Sequence, residues 1–435
     1  MYNKIQQKRG TGRKYVKDNE SFGTATVLPL TSKNPQIRHP FEVYSDKGTD
    51  NLPKNSVYFF QTPDEVLQKM REELTDEELE TYSRQIVLAD IGYDGQLKLR
   101  NARVCLVGAG GLGSPVALKL VGMGIGFLRV VDRDIVSRSD LHRQYIYDVD
   151  SIGMPKVEVL LQKLSRLNPD VTIDPVPESL NSINVEELFT GMDVIIDGLD
   201  RPEPRYVVNR ACNRLKIPYI FGAAIEAFGN VSTILPGRTF CLECFMPGLQ
   251  DEDLPACGVV GVHPSVLGIV SSVQVSEATR VLTGREPKLF NKLLYVDLRE
   301  FEFNILDIPM LESCKVCGTK PDGAPQEVKD RFFEETCARD GRRNFVISPK
   351  KRLDIDMKRL AATIEKQGLG IKTSGRLGIA FERSGKITAC ILKSGTMIAQ
   401  TPPRFEDHIK SEVFEIYKSI LLDGLGLSRD ILPEI

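Results

Sequence analysis

The chain has 435 residues, 57 Lys and Arg against 59 Asp and Glu, 41% hydrophobic residues and no Trp, a globular composition that excludes a disordered or fibrous chain. Its length suits about two or three domains, and a net charge of -2 gives no global reason to expect nucleic acid or an anionic membrane as a partner. Nine Cys are too dilute for a disulfide scaffold, and an odd total with two Cys-x2-Cys pairs fits a reducing, cytoplasmic compartment. The N-terminus lacks the apolar core of a secretory signal. The longest uncharged stretch, Pro255 to Ser276, reaches membrane-spanning length but contains His263-Pro264, Ser271-Ser272 and Gln274. It is expected to be a loop running into a buried helix rather than a membrane span.

Residues 1–74 hold basic and polar runs and one short apolar cluster at Ser56 to Phe60, so they are expected to form a partly disordered extension. Its first twenty residues are basic, which reads as a solvated tail. Thr75-Asp76-Glu77-Glu78 has the pattern of a capping box and opens a helix carrying Tyr82 and Arg84. From about residue 101 the order is strand, Gly-rich turn, helix, strand, with continuous apolar runs that fit parallel strands covered on both faces. A helix near 155–167, a strand at Val171 to Val176, a helix near 184–190 and a strand ending at Asp200 continue the alternation. This predicts a doubly wound, Rossmann-like α/β fold.

After Gly229 the texture changes. VSTILPG, CLECF and LLYVDLREFEFNIL read as antiparallel strands around a long helix from Ser265 to Leu282, making the sheet mixed. Gly318 to Gln326 reads as a linker. Beyond it, a helix near 356–367, three strands joined at Ser384-Gly385 and Ser394-Gly395, and a helix near 405–422 predict a small C-terminal α+β module. The domains expected are thus 1–74, 75–324 and 325–435.

Gly108-Ala109-Gly110-Gly111-Leu112-Gly113 lies between a strand and a helix, where small residues let backbone N–H groups approach phosphate. Asp132 ends the next strand, about 20 residues on, where a carboxylate can accept from ribose hydroxyls. By itself this pattern says nucleotide or dinucleotide. Arg143 and Lys156, downstream of that strand, suit a triphosphate better than hydride transfer. Cys241-x2-Cys244 and Cys314-x2-Cys317 have the spacing of a four-thiolate Zn²⁺ site, with a redox pair or unconnected thiols as rival readings.

Over about residues 75–318 the chain resembles the adenylating domain of ubiquitin-like-protein activating enzymes, the ThiF/MoeB/HesA superfamily. The matching stretches include TYSRQIVL (81–88), GAGGLGSPVA (108–117), VVDRDIVSRSDLHRQ (130–144), IGMPKVE (152–158), DGLDRPEPRYVVNRAC (197–212), CLEC (241–244) and CKVCG (314–318). The resemblance implies that Gly108, Gly110, Gly111, Gly113, Asp132, Asp134 and Gln144 bind ATP. Arg143 and Lys156 would neutralise its phosphates, and Asp200 would hold Mg²⁺. It further implies a structural Zn²⁺ on Cys241, Cys244, Cys314 and Cys317, and a homodimer in which Arg84 reaches the partner's site. The substrate would be ubiquitin or a ubiquitin-like protein ending in Gly-Gly, whose terminal carboxylate needs no general base because it is already ionised at neutral pH.

Two fates of the acyl-adenylate stay open. Cys257 lies at the position of a family cysteine that forms a thioester, which favours activation followed by transfer to a conjugating enzyme. The alternative is adenylation of a sulfur carrier for cofactor synthesis or tRNA thiolation. The C-terminal module has the texture of a protein-docking domain rather than a rhodanese, and on that analogy conjugation is the reading placed first. Asp140 and Arg201 stand where the family usually has Asn. A carboxylate at 140 would weaken ATP binding or recruit a cation, and Arg201 adds a charge beside Asp200.

Overall fold

The computed structural model describes residues 71–251, 260–324, 332–337, 343–383, 387–401 and 408–433, and the chain from Lys69 onward forms one unit. The capping box is present at its start. The Thr75 N–H donates to the Glu78 carboxylate at 2.9 Å, and the Glu78 N–H donates to Thr75 Oγ1 at 3.2 Å, opening helix α1 (Asp76–Thr81). A break at Tyr82 separates it from α2 (Ser83–Ile86), and α3 (Gly92–Asn101) leads into the sheet.

The first sheet has eight strands. Strands β1 (Arg103–Val107), β2 (Phe127–Val131), β3 (Thr172–Val176), β4 (Val194–Asp197) and β5 (Tyr219–Ile225) pair in parallel, in the order β3-β2-β1-β4-β5. Helices α4 (Gly113–Gly122), α5 (Lys156–Leu167), α6 (Val185–Phe189) and α7 (Pro202–Leu215) supply the crossovers. Alternate residues of the central strands enter two separate cores: Val104 and Leu106 face one, Cys105 and Val107 the other. Such two-sided burial produces the uninterrupted apolar runs read in the sequence. Cys105 and Cys212 are both buried on the second side.

The sheet turns antiparallel at β6 (Phe228–Ile234), followed by β7 (Lys292–Asp297) and β8 (Glu302–Asp307). CLECF is not the expected strand. It forms the short helix α8 (Leu242–Phe245), because a knuckle that aims two thiols at one point must turn rather than extend. The long helix is confirmed as α9 (Pro264–Leu282), started by Pro264 and the His263 ring. Among the described residues no helix is long and apolar enough to cross a membrane.

Among its described residues the C-terminal module holds six antiparallel strands where three were expected: β9 (Phe333–Cys337), β10 (Arg343–Ile347), β11 (Gly370–Ser374), β12 (Gly378–Arg383), β13 (Ile387–Leu392) and β14 (Met397–Thr401). Their order is β11-β12-β13-β14-β10-β9. The Ser394-Gly395 turn is present, with Gly395 at φ +90°, whereas Ser384-Gly385 lies outside the described residues. One face of the sheet, including Phe345, Ile379, Phe381 and Met397, packs on helices α10 (Met357–Lys366) and α11 (Ile409–Lys418). The other face, with Ala380, Cys390, Leu392 and Ile398, packs against Ile135, which follows β2 of the first sheet.

Glu158, buried on α5, ties the two sheets together by accepting from the N–H groups of Arg376 (2.6 Å) and Leu377 (2.9 Å). Glu158→Ala should therefore leave two amides without partners and cost about 1–3 kcal/mol, read as a lower urea midpoint for unfolding. An unchanged midpoint would mean that the junction rests on apolar contact alone.

Candidate functional site

The strand order reverses between β1 and β4, and the chain segments leaving these two strands meet at the crevice where doubly wound sheets hold ligands. Gly108, at φ +94°, donates its N–H to Val131 O at 2.8 Å, and Gly198 donates to Val107 O at 2.7 Å. The glycines divide the work. A Cβ on Gly113 would lie 1.8 Å from Gly108 O, one on Gly108 2.5 Å from Gly198 O, and one on Gly111 2.8 Å from Leu267 Cδ1. These three serve packing. Around Gly110 the nearest atom is Gln144 Nε2 at 3.9 Å, an ordinary contact, so packing does not demand a glycine here.

Asp132 fastens the Gly-rich turn to β2 by accepting from the N–H groups of Ala109 and Asp134, each at 2.6 Å. Tyr147 holds the turn from the other side, its hydroxyl donating to Ala109 O at 2.8 Å. A bridge between Ile135 and Pro155 then places Asp134 beside Lys156, whose Nζ donates to the Asp134 carboxylate at 3.0 Å. Burial would lower the Lys156 pKa, but the carboxylates of Asp134, Asp132 and Asp140 outweigh it and hold the ammonium well above its ordinary value. Desolvation and the Asp134 charge raise the Asp132 pKa. Desolvation would also raise that of Asp134, yet Lys156, then Arg133 and Arg201, offset it and keep the carboxyl below its usual range.

Asp140 is no loose anion. It is buried, accepts from Ser137 N and Oγ at 2.9 Å each, and holds Gln144 Nε2 at 2.9 Å and Arg143 Nη2 at 3.1 Å. Its charge is met by Arg143, so it orients Arg143 and Gln144. Two buried polar atoms stay without a hydrogen-bond partner beside the turn, Gln144 Oε1 and Ser114 Oγ, the latter in the first turn of α4. Polar atoms are rarely left in that state unless a ligand or water serves them.

Asp200 is exposed on the loop after β4. Below it, Asp197 accepts from Leu199 N (2.9 Å), Arg205 Nε (3.1 Å) and Tyr219 Oη (2.6 Å), while Arg205 Nη2 donates to Leu199 O at 2.5 Å. This buried network sets the loop, and its Asp, Arg and Tyr were not singled out from the sequence. Arg201 pairs with Glu334 at 3.4 Å and Asp251 at 3.8 Å. Arg84 is exposed on α2 and joins none of the site's hydrogen bonds among the described residues. Cys257 lies outside the described residues.

The Sγ atoms of Cys241, Cys244, Cys314 and Cys317 all lie within 4.8 Å of one another, with 3.6 Å between Cys241 and Cys314 and 3.3 Å between Cys244 and Cys317. A tetrahedral ion with metal–sulfur bonds of about 2.3 Å would space its sulfurs roughly 3.8 Å apart. The four thiols thus form a closed set of a size that could hold one metal ion, joining α8 to the segment after β8.

Residues 82–316 match the ThiF family. The chain is 35% identical to the SAMP-activating enzyme E1 of Haloferax volcanii over 262 residues, 60% of this chain and 96% of that protein. It is 37% identical to the sulfur carrier protein adenylyltransferase of Thermus thermophilus over 253 residues, 57% of this chain and 93% of that protein. With the adenylyltransferase and sulfurtransferase MOCS3 of Anopheles gambiae it shares 35% identity over 57% of each chain. Among solved structures, E. coli MccB superposes with a TM-score of 0.51 at 22% identity, over 55% of this chain and 73% of that one, a likeness of fold.

The glycine geometry separates folding from binding. Gly113→Ala should destabilise the fold by about 3 kcal/mol or more, because backbone meets backbone there. Gly110→Ala should melt like the wild type yet bind ATP about tenfold more weakly or worse, measured by titration calorimetry. Equal affinity in Gly110→Ala would remove the turn from the binding site.

Proposed function

The chain belongs to the ThiF family, and from that premise we propose that it uses ATP to adenylate the C-terminal carboxylate of a ubiquitin-like sulfur carrier ending in Gly-Gly, readying that terminus to receive sulfur. The observation that carries this reading is the match over nearly the whole of a sulfur carrier adenylyltransferase. The relatives' names favour it over the thioester hand-over to a conjugating enzyme.

ATP fits the site. Packing does not account for Gly110, and Gln144 Oε1 and Ser114 Oγ are polar atoms awaiting partners. A carboxylate oxygen of the carrier forms a bond to the α-phosphorus as the bond to the bridging oxygen of pyrophosphate breaks. Lys156 and Arg143 balance the charge that moves onto the leaving group, while Asp132 and Asp134 orient the nucleoside. With an ionised nucleophile and no proton to move, catalysis is positioning and charge neutralisation. Asp200 offers the hard oxygen that Mg²⁺ takes, and the ion would supply further neutralisation of the phosphates. Zn²⁺ suits the four thiols, in a closed set with no open position for chemistry. A homodimer is supported by the exposed face of Arg84, Val87 and Leu88.

The test is exchange of labelled pyrophosphate into ATP by the full chain with Mg²⁺ and a sulfur carrier ending in Gly-Gly. Lys156→Ala should slow exchange by at least about a hundredfold, and Cys257→Ala should leave it unchanged. Exchange untouched in Lys156→Ala would sink the assignment, and a reducible carrier adduct lost in Cys257→Ala would restore the thioester reading. Native mass spectrometry should find one zinc per chain, lost in Cys314→Ser together with thermal stability. A metal-free wild type of full stability would refute the zinc site.

A further inference from the structure

The ThiF match ends at residue 316, before the C-terminal module begins, yet the module places one carboxylate on Arg133 and Arg201, the chain neighbours of the proposed nucleotide ligands Asp132, Asp134 and Asp200. Glu334, on β9, accepts from Arg133 Nη1 at 2.5 Å and Nη2 at 2.8 Å, a bidentate pair, and from Arg201 Nη1 at 3.4 Å. Its side chain is only 12% exposed. Arg133 stands between Asp132 and Asp134 in the chain, and Arg201 follows Asp200. Arg133 feels the charges of Asp134 and Asp132, and Arg201 that of Asp134, so both guanidiniums act on carboxylates assigned to the nucleotide. Besides Glu334, Arg133 holds Ser179 Oγ at 3.0 Å and Arg201 holds Asp251 at 3.8 Å. A guanidinium that lost Glu334 would have Asp134 as a ready substitute, since both Arg133 and Arg201 already act on that carboxyl electrostatically.

We propose that Glu334 is a positioning residue of the nucleotide site: it captures Arg133 and Arg201, keeps them off Asp132 and Asp134, and so makes the C-terminal module a working part of adenylation. This rests on the adenylation reading above. The bidentate geometry supports it, because a planar guanidinium fork is held in one orientation by two parallel bonds, whereas a single contact leaves it free to swing. The module does not depend on this pair for its place. Glu158 binds the Arg376 and Leu377 amides, Ser394 Oγ donates to Pro177 O at 2.8 Å, Arg352 pairs with Glu178 at 2.6 Å, and Ile135 packs on the sheet. Loss of the Glu334 charge can thus be read separately from loss of the module.

The experiment compares wild type, Glu334→Gln, Arg133→Gln and the double variant in the full chain. It measures binding of a non-hydrolysable ATP analogue by calorimetry, with thermal melting as the control for folding. Glu334→Gln should weaken binding about five- to tenfold, with a melting temperature near that of the wild type, and should raise the KM for ATP in exchange more than it lowers kcat. Adding Arg133→Gln should recover most of the lost affinity, because the liberated cation is then gone. A structural strut would behave otherwise: the double variant would bind no better than Glu334→Gln and would melt lower. That result, or wild-type affinity in Glu334→Gln, overturns the inference and leaves the adenylation reading intact. A wild type that binds no ATP analogue overturns both.

Discussion

Backbone lies against backbone where β1 and β4 end, and the chemistry of the cleft depends on that approach. Gly113 can start α4 directly above Gly108 only because neither carries a side chain. Their closeness brings the Asp200 loop to the edge of the turn through the Gly198–Val107 hydrogen bond. Asp132 then fastens the turn to β2, and Tyr147 fastens it to the segment that carries Arg143 and Gln144. The proposed nucleotide ligands come from four separate stretches of chain. They share one cleft because three glycines spend their freedom on packing.

Charge is arranged by the same economy. Among the described residues four ion pairs surround the cleft: Lys156 with Asp134, Arg143 with Asp140, Arg205 with Asp197, Arg133 with Glu334. In the fully buried pair, Asp197 and Arg205, removing one member leaves a desolvated charge, which costs more than the pair contributes. The deeper pair, Asp197 and Arg205, fixes the loop bearing Asp200 from below. The outer pairs hold the cations proposed to meet phosphate.

Much of this was legible in the sequence. The βαβ unit announces itself because parallel strands covered on both sides are apolar throughout, and the thiol set because spacing alone places two sulfurs at one point. Other parts were hidden for equally physical reasons. β9, FEETC, is polar and gives no strand signal until β10 supplies its partner. CLECF has the apolar texture of a strand because it is buried, its Phe245 packing on Phe221 and Phe240, while its thiols demand a turn. Arg133 sat in plain view between two aspartates, but its meaning depends on Glu334, 201 residues away, and no local pattern reports so distant a partner.

The two departures from the family's usual Asn now have different explanations. Asp140 is a local substitution: it accepts four hydrogen bonds and is neutralised by Arg143, so it stiffens the segment without adding free charge. Arg201 is a long-range one. A cation beside Asp200 would compete for the proposed metal ligand in a domain that stood alone, but here Glu334 and Asp251 draw it aside. Asp251 also accepts from the Glu203 N–H at 3.1 Å at the start of α7, so the same Arg links that helix, the segment leading toward Cys257 and the C-terminal module. Asn at this position could satisfy one neighbour, whereas the five donors of an Arg can serve several carboxylates at once. The departure at 201 thus has its partners in Asp251 and in Glu334 of the second sheet, which the sequence around 201 does not show.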